Sequence, residues 1–188
     1  MADGSGQTVL VTGGSGFLGG WCVIELLRRG YSVRTTVRNL SREAQVRAAV
    51  GSEVDPGDRL TVLAADLTSD EGWAEAVAGC DYVLHVASPF PIKNPTDPDE
   101  VIRPAREGAV RVLKAAAKAG VKRVVLTSSI VAITLPWPEA QSGYVFSETD
   151  WTKPDRPDVT SYVVSKTLAE RASWERLQRT LLELRSGE

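Results

Sequence analysis

The chain has 188 residues, 43% of them hydrophobic and 24% charged, with a formal net charge of −2. That composition excludes disordered, collagen-like and coiled-coil classes, and without a clustered basic face nucleic acid is not an expected partner. No apolar run reaches the ~18 residues of a membrane span. Met1 to Gln7 lacks a basic and apolar leader, and Cys22 and Cys80 are too few for a disulfide framework or a metal site. The expectation is one cytoplasmic domain over 1–188, soluble, with no membrane partner.

In chain order, Thr8 to Thr12 is a β-rich run that ends in glycines, and Phe17 to Arg29 follows with helical periodicity, closed by Gly30. Ser32 to Val37 alternates as a strand, and Ser41 to Val50 reads as a short helix with Ser41 as its cap. Leu60 to Ala64 is a third strand, and a helix is expected over about Asp70 to Ala78. Tyr82 to Val86 is a fourth strand, Val101 to Ala119 a long helix, and Val121 to Thr127 a fifth strand. An irregular stretch containing Pro136, Pro138, Pro154 and Pro157 leads to a last helix from about Ser161 to Leu184. Strands alternating with helices predict an α/β fold: a Rossmann-type, doubly wound parallel sheet with helices on both faces. Right-handed crossovers then gather the strand C-termini at one edge, where ligands bind.

The segment Thr12, Gly13, Gly14, Ser15, Gly16, Phe17, Leu18, Gly19 lies between the first strand and its helix. It satisfies a phosphate-binding glycine pattern in two registers, one through Gly13, Gly16 and Gly19 and one through Gly14, Gly16 and Gly19. Glycine serves there for the tight turn, for backbone approach to a pyrophosphate and for close helix packing, and the helix N-terminus offers N–H groups to the anion. The second strand ends in Arg38, with Arg42 nearby, where an NAD site usually carries an acid; a guanidinium suits a 2′-phosphate, so NADP(H) is the expected cofactor. Asp66 could accept from the adenine amino group with Leu67 lining the ring, and it could equally serve as a helix cap. Val86, Ala87 and Ser88 are small enough to let the cofactor come close; His85 reads as a packed strand residue.

Tyr162 and Lys166 are four residues apart on the last helix and therefore share a face. A neighbouring ammonium favours the phenolate, which makes Tyr162 a usable general acid/base. The fifth strand ends Thr127, Ser128, Ser129, at the same sheet edge as the glycine turn. A serine hydroxyl there can bond a substrate carbonyl, and Thr127 falls among the cofactor-lining residues. Glycine turn, serine and Tyr/Lys pair together imply carbonyl–alcohol chemistry on a nicotinamide. Trp137, Tyr144, Phe146 and Trp151 could wall an apolar substrate or simply pack.

Over about Thr8 to Trp174 the sequence resembles the extended short-chain dehydrogenase/reductases, within them the group of dihydroflavonol 4-reductase, cinnamoyl-CoA reductase and yeast-type carbonyl reductase. The resemblance rests on VTGGSGFLGGW, TTVRN, ADL, HVASPF, VVLTSS and YVVSKTLAE followed by SW. It implies that Gly13, Gly16 and Gly19 form the phosphate loop, that Arg38 takes the 2′-phosphate, and that Asp66 and Leu67 take adenine. It further implies catalysis by Ser129, Tyr162 as proton donor, Lys166 holding the nicotinamide ribose, and pro-S hydride transfer from NADPH to a ketone or aldehyde. Two departures stand out. Thr134 occupies a position where plant flavonoid reductases carry Asn or Asp, and the family's C-terminal substrate domain, which would follow Leu177 to Arg185, is expected to be missing. An uncovered fifth strand predicts self-association through an exposed sheet edge. Two other readings stay open: a dinucleotide-binding module without turnover, and a sugar-nucleotide epimerase or dehydratase that retains NAD.

Overall fold

The computed structural model describes residue 4, residues 6–91, 93, 95–134 and 143–186, with the backbone alone for 179–186. Met1 to Asp3, Ser5, Pro136, Trp137 and Pro138 lie outside the described residues, as do the side chains of the terminal apolar stripe from Arg179 onward. The chain divides into two compact units, Met1–Ser88 with Arg111–Thr127, and Pro89–Val110 with Ser128–Glu188.

The first unit is built on β1 (Thr8–Val11), β2 (Ser32–Val37), β3 (Leu60–Ala64), β4 (Tyr82–His85) and β5 (Arg123–Leu126). All pair in parallel, in the order β3-β2-β1-β4-β5, so the strand order reverses between β1 and β4. Parallel strands need cover on both faces, and alternation along β1 provides the two contacts. Val11 joins Val23 and Leu27 of α1 (Phe17–Arg28) and Val46 and Val50 of α2 (Glu43–Gly51). Leu10, one residue earlier, faces the opposite way, into Trp73 and Val77 of α3 (Trp73–Val77) and Val112 and Ala116 of α4 (Asp99–Lys118). Helices therefore cover both faces, as the sequence led one to expect.

Among the boundaries that differ from the sequence reading, three have a local reason. Asn39, not Ser41, caps the turn after β2: its side chain accepts from the Ser41 N–H at 2.8 Å, and a short 3-10 turn (Leu40–Arg42) precedes α2. α3 starts at Trp73 rather than near Asp70, because Gly72 sits at φ +79 with its Cα pressed so close to Ala64 that a Cβ would lie 2.1 Å from the Ala64 carbonyl oxygen. β1 stops at Val11 because the Thr12 side chain bonds across to the end of β4.

The second unit consists of the residues after β4, the start of α4, a 3-10 turn (Ile130–Ala132) and α5 (Ser161–Ser186). α5 is the longest helix among the described residues and carries Tyr162 and Lys166 in its first two turns.

Candidate functional site

In the first unit the β1–α1 turn is fastened to the end of β4 by one residue. The buried Thr12 hydroxyl accepts from the backbone N–H groups of Val86 (3.0 Å) and Ala87 (2.9 Å). With both lone pairs used, its proton goes to Nδ1 of His85 at 2.8 Å, which leaves the Nε2–H tautomer of a neutral imidazole. His85 is thus a packed strand residue, as read from the sequence.

The glycines divide by what demands them. Gly13 sits at φ +77, and a Cβ there would also meet Ala87 at 3.1 Å. A Cβ on Gly14 would lie 2.1 Å from Thr35 Oγ1, and one on Gly19 would lie 2.3 Å from the Gly13 carbonyl oxygen. Gly16 is different: it is exposed, extended at φ −88, and a Cβ there would meet only the Gly13 carbonyl oxygen, at 3.3 Å. Around Gly16 the protein leaves groups open. No side chain caps α1, Ser15 forms no hydrogen bond with the described residues, and Phe17 is 85% exposed with Leu18 beside it.

Arg38 lies exposed just past β2 and makes no hydrogen bond or ion pair with the described residues, whereas Arg42 is held by Gln45 Oε1 at 3.0 Å. Asp66 caps no helix, since Gly72 holds the N-cap position of α3, but it closes a turn. Oδ1 accepts from the hydroxyl and the N–H of Thr68 at 2.7 and 2.8 Å, closing the turn after β3, while Oδ2 has no partner among the described residues. The Thr68 bonds, with Arg38 and Arg111 adding positive charge, hold its carboxyl below the usual carboxylate range. Leu67 packs against the core on the α3–α4 face, and its carbonyl accepts from Arg111. Ser88 is half-buried after β4, and Thr127 donates its N–H to the His85 carbonyl at 3.0 Å.

In the second unit Lys166 is only 8% exposed, with Nζ 6.0 Å from the centre of the Tyr162 ring. Burial pushes its ammonium pKa down. Neither Lys166 Nζ nor the Tyr162 hydroxyl bonds to any described residue. The Tyr162 ring is held edge-on by Phe90, centroids 5.3 Å apart at 87°. Ser129 begins the 3-10 turn and its Oγ accepts from the Val131 N–H at 3.4 Å, so its own proton remains available to donate. The described aromatics of the following stretch pack on the protein: Tyr144 donates to Asp150 and meets Phe146 edge-on, and Trp151 lies under Arg171. Thr134 is buried.

Sequence reasoning missed Thr12's bridging role, the Phe90 brace and Glu170, whose carboxylate accepts from Ser128. Only Glu170 left a signal, its spacing of four from Lys166.

The sequence profile of the NAD dependent epimerase/dehydratase family matches residues 9–180. The chain belongs to that family. Cinnamoyl-CoA reductase 1 of Petunia hybrida is 40% identical over 98% of this chain and 54% of its own length. Dihydroflavonol 4-reductase of Zea mays is 40% identical over 88% of this chain and 47% of its own. Among solved structures, yeast methylglyoxal/isovaleraldehyde reductase, complexed with NADPH, superposes with a TM-score of 0.79 at 28% identity, over 92% of this chain and 53% of that one. The fold and the resemblance read from the sequence are both borne out, and the chain spans about half the length of the relatives it matches.

Proposed function

We propose that the chain is an NADPH-dependent reductase that converts a ketone or aldehyde into an alcohol. One observation carries the reading. On a single helix Lys166, only 8% exposed, holds its Nζ 6.0 Å from the centre of the Tyr162 ring, and neither polar end bonds to another described residue, which leaves both open to a ligand.

The first unit's residues fit the cofactor. Gly16, where a Cβ would meet only the Gly13 carbonyl oxygen at 3.3 Å, leaves room for a pyrophosphate beside the uncapped N-terminus of α1. Arg38 is free for a 2′-phosphate, and the open oxygen of Asp66 suits the adenine amino group. When bound, NADPH supplies the hydride. The protein's part is to hold and move the proton: Tyr162 donates it to the carbonyl oxygen, and Ser129 donates a hydrogen bond to the same oxygen as negative charge grows there. Lys166 keeps positive charge beside the phenol and holds a ribose hydroxyl. Relatives named as reductases of methylglyoxal/isovaleraldehyde, cinnamoyl-CoA and dihydroflavonol support a carbonyl substrate.

The test is turnover of a ketone and aldehyde panel with NADPH, with Tyr162→Phe as control. Consumption of NADPH that the variant abolishes supports the reading. NADPH binding without any turnover favours a binding module, and NAD retained through purification favours an epimerase or dehydratase.

A further inference from the structure

We propose that Glu170 and Arg171, adjacent on α5, are positioning residues that fasten the Ser129 turn to the helix carrying Tyr162 and Lys166. The inference rests on the functional reading above and names what orients one of its groups.

Two fastenings flank Ser129, and both start on the same two helical residues. On one side the Glu170 carboxylate accepts the hydroxyl proton of Ser128, the residue immediately before Ser129. A carboxylate acceptor makes this bond stronger than one between neutral groups. On the other side the Arg171 guanidinium, lying 5.0 Å above the Trp151 ring, donates to the Thr152 carbonyl at 3.2 Å. Thr152 is fully buried and passes the restraint on: its hydroxyl donates to the Val131 carbonyl at 2.6 Å and its N–H to the Ala132 carbonyl at 2.8 Å. The segment from Ser128 to Ala132 is therefore tied at both ends, with Ser129 Oγ between them accepting from Val131.

The helix geometry gives this arrangement its meaning. Tyr162, Lys166 and Glu170 follow one another at intervals of four, so they form one stripe along α5. A hydroxyl that must meet the same substrate oxygen as Tyr162 has to be held within a fraction of an ångström of it, and packing and secondary hydrogen bonds are what achieve this. Neither Glu170 nor Arg171 has a part in the proton transfer. Their role is to make the turn and the helix move as one piece.

The experiment compares Glu170→Ala, Glu170→Gln and Ser128→Ala in three readouts: kcat and KM for the carbonyl substrate, the Kd for NADPH, and amide hydrogen exchange at Val131 and Ala132. Glu170→Ala is expected to lower kcat by about 10- to 100-fold, the order expected of misplaced catalytic groups. The NADPH Kd stays unchanged and exchange at Val131 and Ala132 becomes faster. Glu170→Gln restores kcat, because the amide oxygen still accepts from Ser128. Combining Glu170→Ala with Ser128→Ala adds no further loss. Unchanged kcat in Glu170→Ala overturns the proposal, as does a Gln variant that fails like Ala while cofactor binding collapses with it. If the unsubstituted protein binds NADPH but reduces no carbonyl, the functional reading fails and exchange alone decides: faster exchange at Val131 and Ala132 in Glu170→Ala and Ser128→Ala upholds the fastening, and unaltered protection overturns it.

Discussion

The glycine turn after β1 and the Tyr162–Lys166 stripe of α5 are both candidate functional regions, yet opposite forces select their residues. In the turn, packing does much of the selecting. Gly14 and Gly19 are required because Thr35 Oγ1 and the Gly13 carbonyl occupy the space a side chain would need. On α5 packing leaves the polar ends of the two candidate residues without a protein partner: the Lys166 side chain is mostly buried and its pKa lowered, and no described residue bonds to its ammonium. A motif can thus be read as ligand-driven when part of it is steric. The sharper mark of a ligand is what the fold leaves unpartnered, and the side chains of Arg38, Tyr162 and Lys166 share it among the described residues.

Substitutions can break that comparison. The largest effect is expected on α5: Tyr162→Phe should lower turnover by about 10²- to 10⁴-fold, the usual worth of a positioned acid, with NADPH binding unchanged by calorimetry. A variant that kept its turnover would remove Tyr162 from the chemistry. Arg38→Ala should weaken NADPH by roughly 10- to 100-fold, in line with ~1.5–3 kcal/mol for charged hydrogen bonds, and leave NADH untouched. Equal loss with both nucleotides would show that Arg38 does not read the 2′-phosphate.

The two kinds of glycine are separated next. Gly14→Ala should cost about 1–3 kcal/mol of stability by overpacking, read as a lower denaturation midpoint. Gly16→Ala should leave the midpoint within about 0.5 kcal/mol and reduce NADPH affinity. The reverse pattern would mean that the steric assignment is wrong.

Lys166 provides a pH test. Burial sets its folded pKa below the 10.5 of the free side chain. Between those two values the unfolded chain binds the extra proton, so stability rises with pH through that window and the full cost is present below it. Lys166→Met should therefore raise the melting temperature at neutral pH, and the difference from the unsubstituted protein should shrink as pH climbs towards 10.5. A variant less stable at neutral pH would show that Lys166 contributes packing rather than strain. The smallest expected effect is association. Among the described residues β5 stands last in the sheet order with Arg123 and Val125 exposed, and light scattering at tens of micromolar should detect self-association of this 188-residue chain. A monomer would rule it out.

Much of the sheet was legible because its signals are local. Alternation placed β2 and β3 to the residue, and glycines directly after β1 marked the turn. Tyr162 and Lys166 were legible for the same reason, since helical spacing needs no knowledge of the rest of the fold. What escaped depends on partners far along the chain. The length of α3 is set by a carbonyl on β3 against Gly72, and the hold of Glu170 on Ser128 crosses 42 residues. The helix cap read for Asp66 became a turn closed on Thr68 through Oδ1, which leaves Oδ2 open because a carboxylate has two acceptor oxygens.

The most direct test of the central claim is a calorimetric titration of the chain with NADPH and, in parallel, NADH. The account predicts clear NADPH binding and much weaker NADH binding, since the uncapped N-terminus of α1 suits a pyrophosphate and Arg38 a 2′-phosphate that NADH lacks. No binding of either nucleotide, or a preference for NADH, would contradict it.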